Sequence, residues 1–177
     1  CSSAVRLMPT PTLFTTDEPG AFTGVPTIAE STEVEVFYAT NRFPVGPADS
    51  RYYSRVRSNQ MRVGVATLRI GDESKTVAAL RAMSGTRPVL SLTETREMAA
   101  LDASGRTLSG DLEAFIACLD QSLERAGNRE LLIYVHGANT DFDRATAQAA
   151  QFGHFMGRDA VVMVFAWPSA GTLLRYG

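Results

Sequence analysis

Apolar and polar positions follow two different rhythms along this chain. Between residues 34 and 70 the runs are short, β-branched and aromatic. "VEVFYAT" (34–40) predicts a strand, and "NRFPVGPADS" is expected to break it with two prolines and a glycine. "MRVGVATLRI" alternates at Met61, Val63 and Val65 and then shifts phase to Leu68 and Ile70. That shift predicts a strand with a bulge or bend near Ala66. "RPVLSLTE" predicts a third, weaker strand.

The second rhythm is helical. In "SGDLEAFIACLDQSLERAG", Leu112, Phe115, Ile116, Leu119 and Leu123 form one stripe, and Gly127 is placed for a left-handed cap. Cys118 borders the stripe and reads as a small core residue. "ELLIYV" is then apolar without alternation, which predicts a strand inside a sheet covered on both sides. Thr140 and Asp143 are spaced like a capping box, and Asp141 adds negative charge to the first turn. Phe142, Ala145, Ala149, Phe152 and Met156 share the next helical face, with Gly157 able to end it. "AVVMVFAW" is a second all-apolar strand, stopped by Pro168. Strand, helix, strand with short connections predicts two parallel neighbours. The expected class is α/β: antiparallel strands first, then a parallel unit, in one mixed sheet.

The 177 residues suffice for one domain with a sizeable core. A net charge of −2 with no long basic block argues against nucleic acid or an anionic membrane surface as main partner. No apolar run is long enough to span a bilayer. Cys1 and Cys118 are too few for a disulfide framework, and Lys75 lies in a polar stretch unsuited to Schiff-base chemistry. Residues 1–32, with Pro9, Pro11, Pro19 and Pro26, read as an extended N-terminal tether or a strap across the surface, and residues 33–177 as the domain. An N-terminal cysteine followed by small residues resembles a mature bacterial lipoprotein acylated at Cys1. That likeness implies a lipid anchor in the cell envelope, facing the periplasm, as the only membrane attachment.

Ligands of such sheets bind at the carboxyl ends of the parallel strands. His136-Gly137 and Trp167-Pro168-Ser169 both fall there, on strands expected to be neighbours. "LLIYVHGANTDFDRATAQAA" and "VVMVFAWPSAGTLL" resemble the third and fourth strands of the α/β-hydrolase fold. "VFYATNR" and "LMPTP" are similar to a bacterial branch of serine hydrolases with long N-terminal extensions, many of them lipoproteins. The resemblance implies an esterase-like enzyme without cofactor, acting on an ester-type small molecule or lipid. The loop after the third strand would supply an oxyanion-hole amide from Ala138, with Asn139 beside it. Gly137 would let the backbone approach the reacting carbonyl, and His136, Trp167 and Ser169 would orient the loop.

The family's nucleophile sits in a Gly-x-Ser-x-Gly elbow on the next strand, followed by an acid and a histidine. The 177 residues hold no such elbow, so a hydrolase-like sheet ending before the nucleophile strand is expected. "GHFMG" (153–157) has the glycines but Phe155 in the serine position, and reads as a helix end carrying His154. Ser169 as nucleophile, with His136 or His154 as base, is disfavoured because Pro168 precedes it directly. A cap or loop-orienting hydroxyl is the plainer role. Two histidines eighteen positions apart give no metal-ligand spacing, and no glycine-rich phosphate loop is present. Without the nucleophile strand, residues 131–135 become an apolar edge prone to self-association. The competing reading is a non-catalytic binding or assembly module that retains the half-sheet.

Overall fold

The structure, a computed structural model, describes residues 5–9, 32–71, 87–155 and 160–169. Cys1, Lys75, Met156, Gly157 and most of the expected tether lie outside the described residues.

One mixed sheet runs through the described residues. Its strands are β1 (Val5–Arg6), β2 (Glu33–Val45), β3 (Tyr52–Ile70), β4 (Val89–Leu101), β5 (Thr107–Gly110), β6 (Leu131–Val135) and β7 (Val161–Phe165), in the order β1-β4-β3-β2-β7-β6 with β5 also on β4. Helix α1 (Leu112–Arg125) precedes β6, and helix α2 (Phe142–Phe155) joins β6 to β7. β2 is antiparallel to β3 and parallel to β7, so it joins the two halves of the sheet. β6 and β7 are parallel, in register from Leu131↔Val161 to Val135↔Phe165. The α/β class and the antiparallel-then-parallel order are as the residue pattern indicates.

Each sheet face has its own helix. Val36, Tyr38, Leu68, Ile70, Val162 and Val164 pack under Phe142, Ala145 and Ala149 of α2. Phe37, Val63, Val65 and Ala99 pack under Phe115 of α1, with Leu112, Cys118, Leu119 and Leu123 partly buried beside them. Ile116 falls off that stripe and is exposed, as is Phe152 of α2. Asp111 caps α1 by accepting from the Ala114 amide at 2.9 Å. Gly127 does not form a left-handed cap. The chain leaves α1 through an extended Ala126, and Arg129 takes the positive φ of 51°. At α2 the capping carboxylate is Asp141, accepting from the Arg144 amide at 2.9 Å, rather than a Thr140–Asp143 box.

The strands are longer than the local pattern indicated. β2 continues past "VEVFYAT" through Pro44, and β3 begins at Tyr52, so the two form a long hairpin arm. Pro44 is tolerated where the β2–β3 register slips, between Arg42 and Pro44. The bend expected near Ala66 resolves into two shifts against β4, at Val63/Gly64 and Thr67/Leu68, while the same stretch of β3 stays in unbroken register against β2 from Arg62 to Arg69. In the segment expected to be a tether or strap, Val5–Arg6 pair with β4 and Leu7 is buried, so these few residues lie against the sheet. Apolar side chains at the sheet margin bury area that a solvated tether would leave wet.

A buried polar chain crosses the hairpin. The Tyr38 hydroxyl lies 2.9 Å from that of Tyr53, which donates to Glu97 at 2.8 Å. Arg51 and Arg62 hold the same carboxylate at 3.2 and 3.3 Å. Gly64 makes room for it, because a Cβ there would lie 2.6 Å from the Tyr38 hydroxyl and 2.1 Å from the Arg96 carbonyl oxygen.

β6 is not covered on both faces. Leu132 and Tyr134 pack toward α2, but Leu131, Ile133 and Val135 are 36, 57 and 57% exposed. α1 covers β2, β3 and β4 and stops short of this strand. Among the described residues nothing pairs with the outer edge of β6. A flat, uncharged apolar edge recruits strands. The chain is therefore expected to self-associate with rising concentration in sedimentation velocity, and Ile133→Lys to return it to monomer. A wild-type chain that stays monomeric at high concentration overturns this expectation.

Candidate active-site rim

Alternation along β2 decides what lies beneath the rim. Val34, Val36 and Tyr38 face α2, and the same parity carries Thr40 and Arg42 inward. Arg42 is fully buried. Its Nη2 donates to the carbonyls of Thr140 and Trp167, both at 2.6 Å. Its Nε donates to the Ala166 carbonyl at 3.3 Å and its Nη1 to that of Ser54 at 3.4 Å. Burial lowers its pKa to about 10, opposed by the charge of Asp141, so it remains a cation at neutral pH. Thr40 adds a bond from its hydroxyl to the Ala166 carbonyl at 2.5 Å. One cation thus ties the ends of β2 and β7 to the loop after β6.

The structure brings the predicted rim residues together. The His136 and Trp167 rings stack with centroids 5.2 Å apart and planes 5° from parallel. The Trp167 indole N–H donates to the His136 carbonyl at 2.9 Å. The Ser169 hydroxyl donates to the Thr140 carbonyl at 2.7 Å and accepts from the Thr140 amide at 2.9 Å. Both of its bonds go to backbone, and the side chain is fully buried. Neither His136 nor His154 is its hydrogen-bond partner in this arrangement, which is that of a loop-fixing hydroxyl rather than an activated nucleophile.

His136 is buried, and its Nδ1 lies 2.7 Å from the Gly137 carbonyl oxygen. A carbonyl only accepts, so Nδ1 carries the proton. Nε2 is buried with no hydrogen bond among the described residues. Burial pulls the His136 pKa below its usual value, against the pull of the Gly137 carbonyl, so the ring is neutral at pH 7.

Gly137, Ala138 and Asn139 are exposed at the rim. Among the described residues, no hydrogen bond engages the Ala138 or Asn139 amide. Asn139 takes a left-handed φ of 54°, and its Oδ1 accepts from Arg55 of the hairpin arm at 3.2 Å. Arg55 also pairs with Asp141 at 3.6 Å. A Cβ on Gly137 would meet nothing within 4 Å, so no contact within the described chain demands glycine there. Arg42, Thr140 and Arg55 are the rim residues the local pattern did not reveal. The inward parity of Arg42 was the available signal for the first.

A groove of about 660 Å³ opens at the other end of the parallel strands, lined by Glu33, Glu35, Arg125, Val161 and Val162 among others. It does not touch the rim. The rim is where unpartnered amides meet strand ends, and it is the site the chemistry favours. No group of three or more His, Cys, Asp or Glu placed to hold a metal occurs among the described residues.

Two variants check this geometry. Ser169→Ala leaves the Thr140 amide buried without a partner, so urea unfolding is expected to show a loss of about 1–3 kcal/mol. His136 has the opposite sign from a stabilising salt-bridged histidine. Its unfolded form takes a proton near pH 6.5 while the folded form resists. Stability contributed at this position is therefore full above pH 6.5 and falls as pH drops below it. His136→Gln is expected to flatten that acid slope, read as the midpoint of urea unfolding against pH.

A family model described as "Alpha/beta hydrolase of unknown function (DUF900)" matches residues 112–177, a stretch that includes α1, β6, α2 and β7. No curated protein matches the chain. No solved structure matches it. Over residues 112–177 the chain is thus similar to an α/β-hydrolase family, and the described part of that stretch holds the parallel unit β6–α2–β7.

Proposed function

We propose that this chain supplies the oxyanion-hole loop of a serine hydrolase acting on esters or related acyl compounds, with the nucleophile carried by chain outside these 177 residues. The observation that supports this is the pair of exposed, unpartnered amides at Ala138 and Asn139, on a turn fixed from below at the carboxyl end of a parallel strand. Backbone N–H groups held in this way stabilise the negative oxygen of a tetrahedral intermediate without reorganising. A second amide would come from the residue after the nucleophile. The second reading, an assembly module, is favoured by one observation, the open apolar edge of β6. The two are compatible if the strand that bears the nucleophile is what covers that edge.

The test uses the gene product with its complete hydrolase domain. It is expected to label with a fluorophosphonate probe and to hydrolyse p-nitrophenyl esters. Ala138→Pro removes one donor and is expected to lower kcat/KM about 10²–10³-fold. Absence of both labelling and hydrolysis in the wild type sinks the enzymatic reading.

A further inference from the structure

The rim amides make no bonds of their own within the described residues, so something else must hold their turn in shape. Thr140 follows Asn139 directly, and its backbone is held at both ends. Its amide goes to the Ser169 hydroxyl, and its carbonyl accepts from both Ser169 and Arg42. The same Arg42 nitrogen donates to Trp167, whose indole in turn holds the carbonyl of His136. His136 and Thr140 bracket the three exposed residues 137–139. Both brackets therefore lead back to one guanidinium, the first through Trp167 and the second directly.

We propose that Arg42 is the positioning residue of this rim: its Nη2 fork, spanning the carbonyls of Thr140 and Trp167, sets the turn that presents the Ala138 and Asn139 amides. The placement does not depend on the chemistry proposed above, but its use in stabilising an oxyanion rests on that reading. A guanidinium suits the task because it is planar and donates in several fixed directions at once. Lysine keeps the charge, but its three protons all radiate from one nitrogen, so it cannot serve the carbonyls of Thr140 and Trp167 while also reaching those of Ala166 and Ser54. If charge alone mattered, lysine would substitute; if the fork matters, it would not.

NMR on the isotope-labelled chain tests the fork directly. In the wild type, the Arg42 Nη2 protons are expected to give separate, slowly exchanging signals with cross-peaks to Thr140 and Trp167. A single averaged signal from a freely rotating guanidinium overturns the proposal without any variant being made. In Arg42→Lys, exchange of the Thr140 amide and the Trp167 indole proton is expected to rise at least about tenfold, with core amides such as Val36 and Val164 unchanged. Equal acceleration throughout the sheet, or none at the rim, refutes a positioning role. In the gene product with its complete hydrolase domain, the same variant is expected to lose about 100-fold in kcat with KM nearly constant. A wild type that neither labels nor turns over ester, while the fork signals are present, removes the oxyanion reading and leaves the positioning role standing.

Discussion

The rim depends on a buried cation that, among the described residues, has no carboxylate within hydrogen-bonding distance. Arg42 meets its desolvation cost with backbone carbonyls from three separate segments: the loop after β6, the loop after β7 and the hairpin arm. Hydrogen bonds to a charged group contribute more than neutral ones, about 1.5–3 kcal/mol each. The contribution cannot be summed simply, because bringing a guanidinium into the interior costs several kcal/mol first. The arrangement has two outcomes: all carbonyls seated, or a stranded charge. That makes it a constraint on geometry more than a reservoir of stability. The loop after β6, the loop after β7 and the hairpin arm have to arrive together.

The sheet is asymmetric in its coverage, and this follows from where the two helices sit. α2 spans the face made by β2, β3 and β7 and reaches β6 through Leu132 and Tyr134. α1 covers the opposite face only as far as β7, where Val161 is buried and Met163 is partly so. The last strand is left half-dressed, with an apolar row facing water. The rim sits at the end of this same strand, so the loop with the free amides is carried by the least protected element of the sheet.

Much of this was legible in the residues. Unbroken apolar runs at 131–135 and 161–165 with a helical pattern between them fixed the parallel unit, because short connections leave few alternatives. The meeting of His136 with Trp167 followed from strand order alone. What could not be read had two causes. Element ends depend on tertiary pairing: β2 runs through Pro44 because β3 continues opposite it and absorbs the missing donor in a register shift. Coverage of a strand depends on the reach of helices far away in sequence, so the apolar run at β6, although expected at an open edge, read as covered on both faces where one face is bare. Arg42 escaped because arginine after a strand usually marks its solvated end. Only continuing the inward parity of Tyr38 and Thr40 by one more step exposes it.

The double role of β2 has a consequence for how the molecule is made. Its pairing with β3 is local and can zip as a hairpin once residue 70 has emerged. Its other margin waits for β7, and the bond from Thr40 to Ala166 closes a loop of 126 residues. Loop closure of that size is slow relative to hairpin formation. During synthesis the ladder positions of Phe37, Tyr38 and Ala39 therefore stay open while more than half the chain is still being added. A nascent polypeptide in this state presents an unsatisfied strand to its neighbours on the polysome, and the parallel half of the sheet is the last part to be sealed.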